Sequence, residues 1–515
     1  MDRTDGYVRE LNYTNTHYPG LAPARLDLAC LSRSVFTRLD GRPLRYLELA
    51  FGQGVSLSIH AAASPGEFWG IDFNPDHLRS AREMAAASGS GVRLFEDSFA
   101  DFAARDDVPQ FDAITMHGVW SWVSAENRRV VVDIVRRKLA KGGVFYVSYN
   151  CLPGWASRMP LRHLLVEHAS LAGSSAPGLS ARIDAALEFA GSLENAGAGY
   201  FGAHPELKEW LSRMRGASRN YLAHEYFNRD FEPMPSSEVA GLLSAAGLTF
   251  AASATLTDHF VGLALPEESR ALLAGIEPPT LRETVADYLV NQSFRADIFV
   301  MGRPWLGAAA RDERLRSLPF MLIRHPDHVP SRIAMAGRDV ELHPDIYRPL
   351  IEALAEDDYA PKTLGQAQAH PRCASIPLAQ LFEAAVMLTG VGSVHPAQAP
   401  PAIEQVAPRC AALNAYILDR AEATDDLPAL ASPVLGAGVF ANRHDMLFIR
   451  AIERGYAAPE QWARHAWERL EANGQRLVVD GKPLGRREER LARLLVDADA
   501  FAKTRLPLLK ALRIT

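Results

Sequence analysis

Between residues 42 and 150, short apolar runs alternate with helix-like segments, and no other feature of the chain restricts its fold as much. Residues 44–50 read as a strand, 55–63 as a helix and 68–72 as a second strand. Residues 75–87 read as a helix that Asn74 can cap ahead of Pro75. Strands follow at 92–95 and 111–116, then a helix over 125–140 stopped by Gly142 and Gly143. Residues 144–149 form a strand of β-branched and aromatic residues. Such alternation builds a parallel sheet with helices on both faces, so the expected fold class is α/β with a Rossmann-like sheet.

Past residue 150 the pattern breaks. Residues 151–234 read as mainly helical, with a Gly/Ser/Pro loop at 173–178. Ser236 or Ser237 can then cap a helix through Ala246, which Gly247 ends. Residues 248–255 and 296–301 are strand-like, and they are expected to complete the first sheet. On that reading 151–234 is a mainly helical insertion and 256–290 a smaller one; the alternative is a separate α+β domain over 151–305. The boundaries that follow are an arm at 1–41, a core at 42–150, an insert and its strands at 151–305, and a separate, mainly helical C-terminal domain at 306–515. The last region shows a hairpin near 332–342, helices at 344–355 and 378–389, and a Pro-rich connector at 395–408. Its helix, helix and turn could mimic a winged helix.

Charge excludes some functions. Lys and Arg number 55 against 61 Asp and Glu, a net charge of −6, so the surface as a whole does not attract phosphate backbones. No basic cluster marks a DNA-reading helix, and no nucleic-acid partner is expected. The four cysteines, Cys30, Cys151, Cys373 and Cys410, form no CxxC pair, so neither a zinc site nor a disulfide framework is indicated, and no metal is expected. Their use fits a reducing cytoplasm. The first residues lack the basic-then-apolar pattern of a secretion signal, and no run of 18 apolar residues marks a membrane span.

Chemistry concentrates where the first strand opens into a helix, at Glu48-Leu-Ala-Phe-Gly-Gln-Gly54. Small residues at Ala50, Gly52 and Gly54 let the backbone turn tightly and approach a ligand; the alternative is a plain strand-to-helix turn. Asp72, 18 residues beyond Gly54 and at the end of the second strand, can accept both hydroxyls of a ribose, or cap the next helix. Asp97, with Ser98 beside it, suits the edge of an adenine, or is an ordinary loop acid. Dinucleotide sites want G-x-G-x-x-G, and phosphate loops want a lysine; this turn has neither. An acid, small residues and two downstream acids suit S-adenosylmethionine, which is cationic at sulfur and carries no phosphate. The fourth and fifth strands run into His117-Gly-Val-Trp-Ser-Trp-Val123 and Ser148-Tyr-Asn-Cys-Leu-Pro-Gly-Trp155. Both leave the carboxyl ends of strands, where open α/β sheets bind ligands, and aromatic faces attract cations. The competing reading for Trp120, Trp122 and Trp155 is core packing, and for His117 a structural hydrogen bond.

These strings resemble the class I S-adenosylmethionine-dependent methyltransferases that carry a methyltransferase regulatory domain, a family that includes bacterial lysine methyltransferases of outer-membrane proteins. The resemblance spans nearly the whole chain. It also rests on Tyr13, on Tyr18-Pro19, on Pro23 to Leu26, on Tyr221-Leu-Ala-His-Glu-Tyr-Phe-Asn228 and on Asn291-Gln-Ser-Phe-Arg295. Thr14 and Ala22 stand where such sequences often hold an acid and a histidine, and Phe51 and Gln53 where they often hold cysteine or small residues. The resemblance implies methyl transfer with S-adenosylhomocysteine as product. It implies that Glu48 to Gly54 shape the amino-acid end of the cofactor, and that Asp72, with Phe73 beside it, holds the ribose. Asp97 and Ser98 meet adenine, and His117 and Gly118 lie beside the methionine moiety. Tyr13 and Tyr18 close over the site from the N-terminal arm.

An amine acceptor must lose its proton before it attacks, and an apolar channel favours that by desolvation. Trp120, Trp122, Tyr149 and Asn150 are the candidates for this channel, and His117 for a proton acceptor. The expected activity is methylation of lysine in a protein, such as a surface or outer-membrane protein before export. A small-molecule or glycan methyltransferase and a non-catalytic cofactor-binding adaptor are the alternatives. A homodimer is compatible with the sequence.

Overall fold

The computed structural model describes residues 15–39, 43–171, 178–302, 307–475 and 485–515, with backbone strands at Val478–Val479 and Lys482–Pro483. The first residues of the arm, 1–14, and most of the loop expected at 173–178 lie outside the described residues. After helix α1 (Pro23–Ser32) come β1 (Leu44–Leu49), α2 (Val55–Ala63), β2 (Gly66–Ile71), α3 (Pro75–Ser88), β3 (Arg93–Phe95), α4 (Phe99–Ala103) and β4 (Phe111–Met116). The core continues with α5 (Ala125–Lys138) and β5 (Leu139–Asn150), and closes with β6 (Leu248–Ser253) and β7 (Phe294–Met301). The seven strands lie in the order β3-β2-β1-β4-β5-β7-β6. The first five are parallel, and β7 runs antiparallel between β5 and β6.

The central strands are buried on both faces because side chains alternate between two cores. Tyr46, Ala113, Val144, Tyr146 and Ile298 face α1 in one core; Leu47, Ile114, Phe145, Val147 and Phe299 face α5 in the other. The chain reverses its progression across the sheet between β1 and β4, which opens a crevice at their carboxyl ends. The strands expected at 248–255 and 296–301 do join this sheet, as β6 and β7.

The segment between β5 and β6 forms helices Met159–Leu171, Leu179–Asn195, Gly199–Ala203, Glu206–Gly216 and Arg219–Tyr226 around their own core. In the C-terminal part, helices Pro344–Ala355, Leu364–Ala369 and Leu378–Gly390 accompany a three-stranded sheet of Pro319–Leu322, Lys362–Thr363 and Val394–Pro396. Helix Leu378–Gly390 is buried from Phe382 to Thr389, apart from Glu383. Among the described residues no helix is long and apolar enough to cross a membrane.

Three local readings need correction. Helix α5 ends at Lys138 instead of at the glycines, because Leu139 already pairs with Phe111 and begins β5. Ser236 caps nothing: it lies inside helix Ser236–Ser244 and donates its hydroxyl to Asp287 at 2.8 Å. The Pro-rich stretch after His395 is mostly helix Pro400–Ala421, with prolines in its first turn and Pro408 inside.

Candidate active site

The glycine turn is built by strain and close packing. Ala50, Gly52 and Gly54 take φ values of 54°, 60° and 75°, in the left-handed region that favours glycine. A Cβ on Gly54 would stand 2.6 Å from the Ala81 Cβ, so the approach of α2 to α3 requires the missing side chain. A Cβ on Gly52 or on Gly118 would meet nothing within 4 Å, so both backbones face open space at the carboxyl edge of β1 and β4.

Two buried acids flank this turn. The Asp72 carboxylate accepts the amide of Gly52 at 2.9 Å and the amide of Asn74 at 2.9 Å, and lies 3.2 Å from His77 Nδ1. It thereby ties the end of β2 to the turn and to the start of α3; Asn74 caps that helix by accepting from Asp76. Phe73 is half-buried between them. Glu48 is buried, and among the described residues its Oε2 finds no hydrogen-bond partner. Burial and the charge of Asp72 push its carboxyl up to about 8. A buried carboxylate pocket with an open lone pair is a place for a cation or a hydrogen-bond donor. Asp97 is engaged elsewhere: Arg105 grips it at 2.5 and 3.2 Å. Ser98 caps α4 in a capping box with Asp101.

Next to the turn, His117 Nδ1 lies 2.7 Å from the Tyr146 hydroxyl and 3.1 Å from the Ser148 hydroxyl, and Ser148 also accepts the Gly118 amide at 2.7 Å. Burial lowers the His117 imidazole to about 4, so it is neutral near pH 7. Tyr18 lies over this ring, with centroids 4.0 Å apart, and is anchored through its own amide to the Ser56 hydroxyl at 2.8 Å. Tyr13 lies outside the described residues. The Asn150 amide nitrogen is buried, without a partner among the described residues, on the β5 face shared with Tyr146 and Ser148.

The remaining channel candidates are placed differently. Trp120 has no exposed surface and packs in the core beneath α5, so it fills the interior instead of lining a channel. Trp122 packs against Phe231 at 5.6 Å and donates to the Glu225 carbonyl at 3.4 Å, which fastens the helical insert to the sheet. Trp155 sits in the core of that insert. Tyr149 faces the opposite side of β5 from Ser148 and donates to Asp297 at 2.6 Å. Asp297 belongs to a buried ion cluster in which Arg295 also holds Asp287 at 2.6 Å and Glu283 at 2.8 Å. The reading that puts Tyr149 in the channel is therefore replaced by a structural one. Tyr146 was the residue missed, although the period of two along β5 puts it on the face of Ser148 and Asn150.

The donors fit the proposed group by chemistry: an orphaned buried carboxylate for an ammonium, an acid beside a glycine turn for a diol, and open backbone at Gly52 and Gly118. The strand order and the crevice at the carboxyl ends of β1 and β4 are those of a Rossmann-like, class I methyltransferase fold. The pattern of a methyltransferase domain matches residues 47–143, and that of a predicted methyltransferase regulatory domain matches residues 218–301. An uncharacterized protein of Synechocystis is 36% identical over 517 residues, covering 100% of both chains. An uncharacterized protein of Rickettsia prowazekii is 26% identical over 260 residues, 49% of this chain and 45% of that one. The structure of PKMT2 from Rickettsia typhi in complex with AdoHcy has a TM-score of 0.68 at 16% identity, covering 95% of this chain and 98% of that one, which shows a shared fold. The chain belongs to the S-adenosylmethionine-dependent methyltransferases that carry a methyltransferase regulatory domain. The regulatory match includes β6 and β7, so this part of the chain completes the catalytic sheet.

Proposed function

We propose that the chain methylates an amine, with lysine side chains of a protein as the acceptor class. The observation that carries the cofactor half of this reading is the buried Glu48 carboxyl, whose Oε2 has no hydrogen-bond partner among the described residues, near the open turn at Gly52. Glu48 would receive the ammonium of the cofactor, Asp72 the ribose hydroxyls, and Gly118 and Asn150 the methionine end. The cofactor supplies an electrophilic methyl on a sulfonium. The amine lone pair forms the N–C bond while the C–S bond breaks and its electron pair passes to sulfur; one amine proton leaves to solvent.

The residues around His117 decide how that proton is handled. A lysine ammonium ordinarily titrates near 10.4, whereas His117 is held at about 4. The mismatch is roughly six orders of magnitude in proton affinity, so His117 is no general base for an ammonium. It acts instead as a neutral hydrogen-bonding wall whose Nδ1 is occupied by Tyr146, leaving only Nε2 for the acceptor. The burial of the His117 ring, against which Tyr18 lies, supports a desolvated approach that favours the neutral amine. Most of the acceleration would come from alignment of nitrogen, carbon and sulfur, about 7–11 kcal/mol in favourable systems. The PKMT2 structure in complex with AdoHcy supports this reading as a likeness of fold.

The test is incubation with radiolabelled S-adenosylmethionine and fractionated lysate, followed by mass spectrometry. Label on lysine in a protein supports the proposal, label in a low-mass fraction replaces lysine with a small acceptor, and cofactor binding without any label points to an adaptor. Because Asp72 also holds two backbone amides, Asp72→Asn is a cleaner probe than Asp72→Ala. It should weaken S-adenosylhomocysteine binding at least about tenfold, or about 1.4 kcal/mol, in calorimetric titration with an unchanged circular dichroism spectrum.

A further inference from the structure

Two hydroxyls meet one ring nitrogen just past the end of β4. His117 Nδ1 lies 2.7 Å from the Tyr146 hydroxyl and 3.1 Å from that of Ser148, and both hydroxyl residues are buried. Ser148 accepts the Gly118 amide at 2.7 Å, so its own proton must be placed elsewhere. Among the described residues, neither hydroxyl has an acceptor outside this trio. A proton on Nδ1 would therefore strand at least one buried hydroxyl proton, whereas a bare Nδ1 supplies the acceptor that is wanted. Burial keeps the imidazole neutral, so it holds a single proton in all. That proton sits on Nε2, which makes Nε2 a donor; it has no hydrogen-bond partner among the described residues.

Asn150 brings a second donor to the same place. It stands two residues beyond Ser148 on β5, hence on the same face of the sheet. Its cross-strand neighbour Phe294 is edge-on to the His117 ring, with centroids 6.2 Å apart. Asn150 is only 5% exposed, and its amide nitrogen has no partner among the described residues. Buried donors without partners are costly, and a ligand oxygen relieves that cost. Glu48 shares this face as well, since it pairs with Thr115, two residues before His117.

We infer that Tyr146 and Ser148 hold His117 as its Nε2–H tautomer, and that this N–H and the Asn150 amide form a paired-donor site for a carboxylate. The inference rests on the methyl-transfer reading and adds to it the sense of each hydrogen bond: an acceptor on β1, and donors from the ends of β4 and β5. Tyr146 is on this account a positioning residue, acting through His117. A donor at Nε2 would occupy the lone pair of an attacking amine, so Nε2 meets an oxygen and not the attacking nitrogen. Two sources carry such a carboxylate: the amino-acid end of the cofactor, and the acceptor.

The full chain holds 16 histidines, so in long-range proton–nitrogen NMR of histidine-labelled protein His117 is identified as the signal missing from His117→Gln. We expect a bare Nδ1 and a protonated Nε2 near neutral pH, and both tautomers in Tyr146→Phe/Ser148→Ala. Calorimetry would then compare S-adenosylhomocysteine with its decarboxylated analogue. A second arm, on the chain saturated with S-adenosylhomocysteine, would compare Nα-acetyl-lysine with its methylamide. At least fivefold preference for the carboxylate in the first arm assigns the site to the cofactor, and in the second to the acceptor. His117→Phe and Asn150→Leu should each lose at least threefold of that preference, while His117→Gln, which keeps a donor, retains it; thermal unfolding checks the fold of every variant. A protonated Nδ1 in the parent would overturn the tautomer and the donor with it. No preference in either arm, or one that His117→Phe and Asn150→Leu leave unchanged, would overturn the carboxylate site. Failure of the parent to bind S-adenosylhomocysteine would overturn the methyl-transfer reading itself.

Discussion

At the scale of single residues, Glu48 makes the sharpest commitment. Its carboxyl stands at about 8 in the folded chain against an ordinary 4.5. Between those values the folded state holds a proton that the unfolded state has lost, so the Glu48 contribution to stability falls as pH rises through this window and levels off above about 8. The slope is at most about 1.4 kcal/mol per pH unit. Glu48→Gln should remove it, as read from thermal unfolding of the cofactor-free protein between pH 5.5 and 8.5. An ammonium bound at Glu48 would ionise it, so cofactor binding near pH 7 should release up to about one proton. Calorimetry in buffers of different ionisation heat would show this release, and Glu48→Gln would abolish it. Glu48, Asp72 and the glycines were legible in the sequence because each answers a local backbone demand at a strand end. Tyr146 was not, because its meeting with His117 depends on the register between β4 and β5, which no local pattern states.

Elements differ in how much they reveal through their neighbours. The turn between β1 and α2 holds two glycines with similar φ values but different surroundings, and substitution separates them. Gly54→Ala adds a clash with Ala81 to the left-handed strain and should cost about 2–4 kcal/mol in denaturant unfolding. Gly52→Ala should cost only about 1–2 kcal/mol of strain, yet it intrudes on the open space assigned to the cofactor and should weaken S-adenosylhomocysteine binding by more than its stability loss suggests. A Gly52→Ala protein with unchanged affinity would remove the cofactor from that space. Helix Pro400–Ala421 shows how an element is misread. Three prolines within nine residues suggest a connector, yet two occupy the first turn, where a missing N–H costs nothing. Ile403, Val406, Cys410, Leu413 and Ile417 follow at spacings of three and four. That stripe was the stronger signal, and it outweighs one proline inside the helix.

Across the whole molecule, the C-terminal part is packed into the methyltransferase core. Val55, Ile59, Ala62 and Ala63 of α2 share one apolar cluster with Ile403, Val406, Cys410 and Leu413. The closing end of α2 is also served from there: Gln398 donates to the Ala63 carbonyl at 2.9 Å and Arg409 to the Ser64 carbonyl at 3.1 Å. At the same junction lie the buried histidines His60 and His395 and the half-buried His17, whose ring nitrogens are enclosed, with Arg25 beside them. Burial holds His17 at about 4, His395 at about 3 and His60 well below its ordinary value. The unfolded chain therefore binds more protons below about pH 6.5, so stability falls on acidification, by up to about 4 kcal/mol per pH unit for the three together. This outweighs the opposite slope of Glu48, and unfolding temperatures should drop steeply below about pH 6, less so in His60→Phe. The sequence pattern could not announce this union, because α2 alone reads as a helix covering a sheet, and its second covered face belongs to residues more than 300 positions away. Burial of Val55 and Ile59 stabilises by about 3–6 kcal/mol, against a total of about 5–15 kcal/mol for a typical domain. A chain ending at residue 307 should accordingly fail to unfold cooperatively, bind hydrophobic dyes and lose cofactor affinity, and co-expression with 308–515 should restore all three properties. Cooperative unfolding of 1–307 with parent affinity for S-adenosylhomocysteine would show instead that the C-terminal part is an attachment the catalytic sheet does not need.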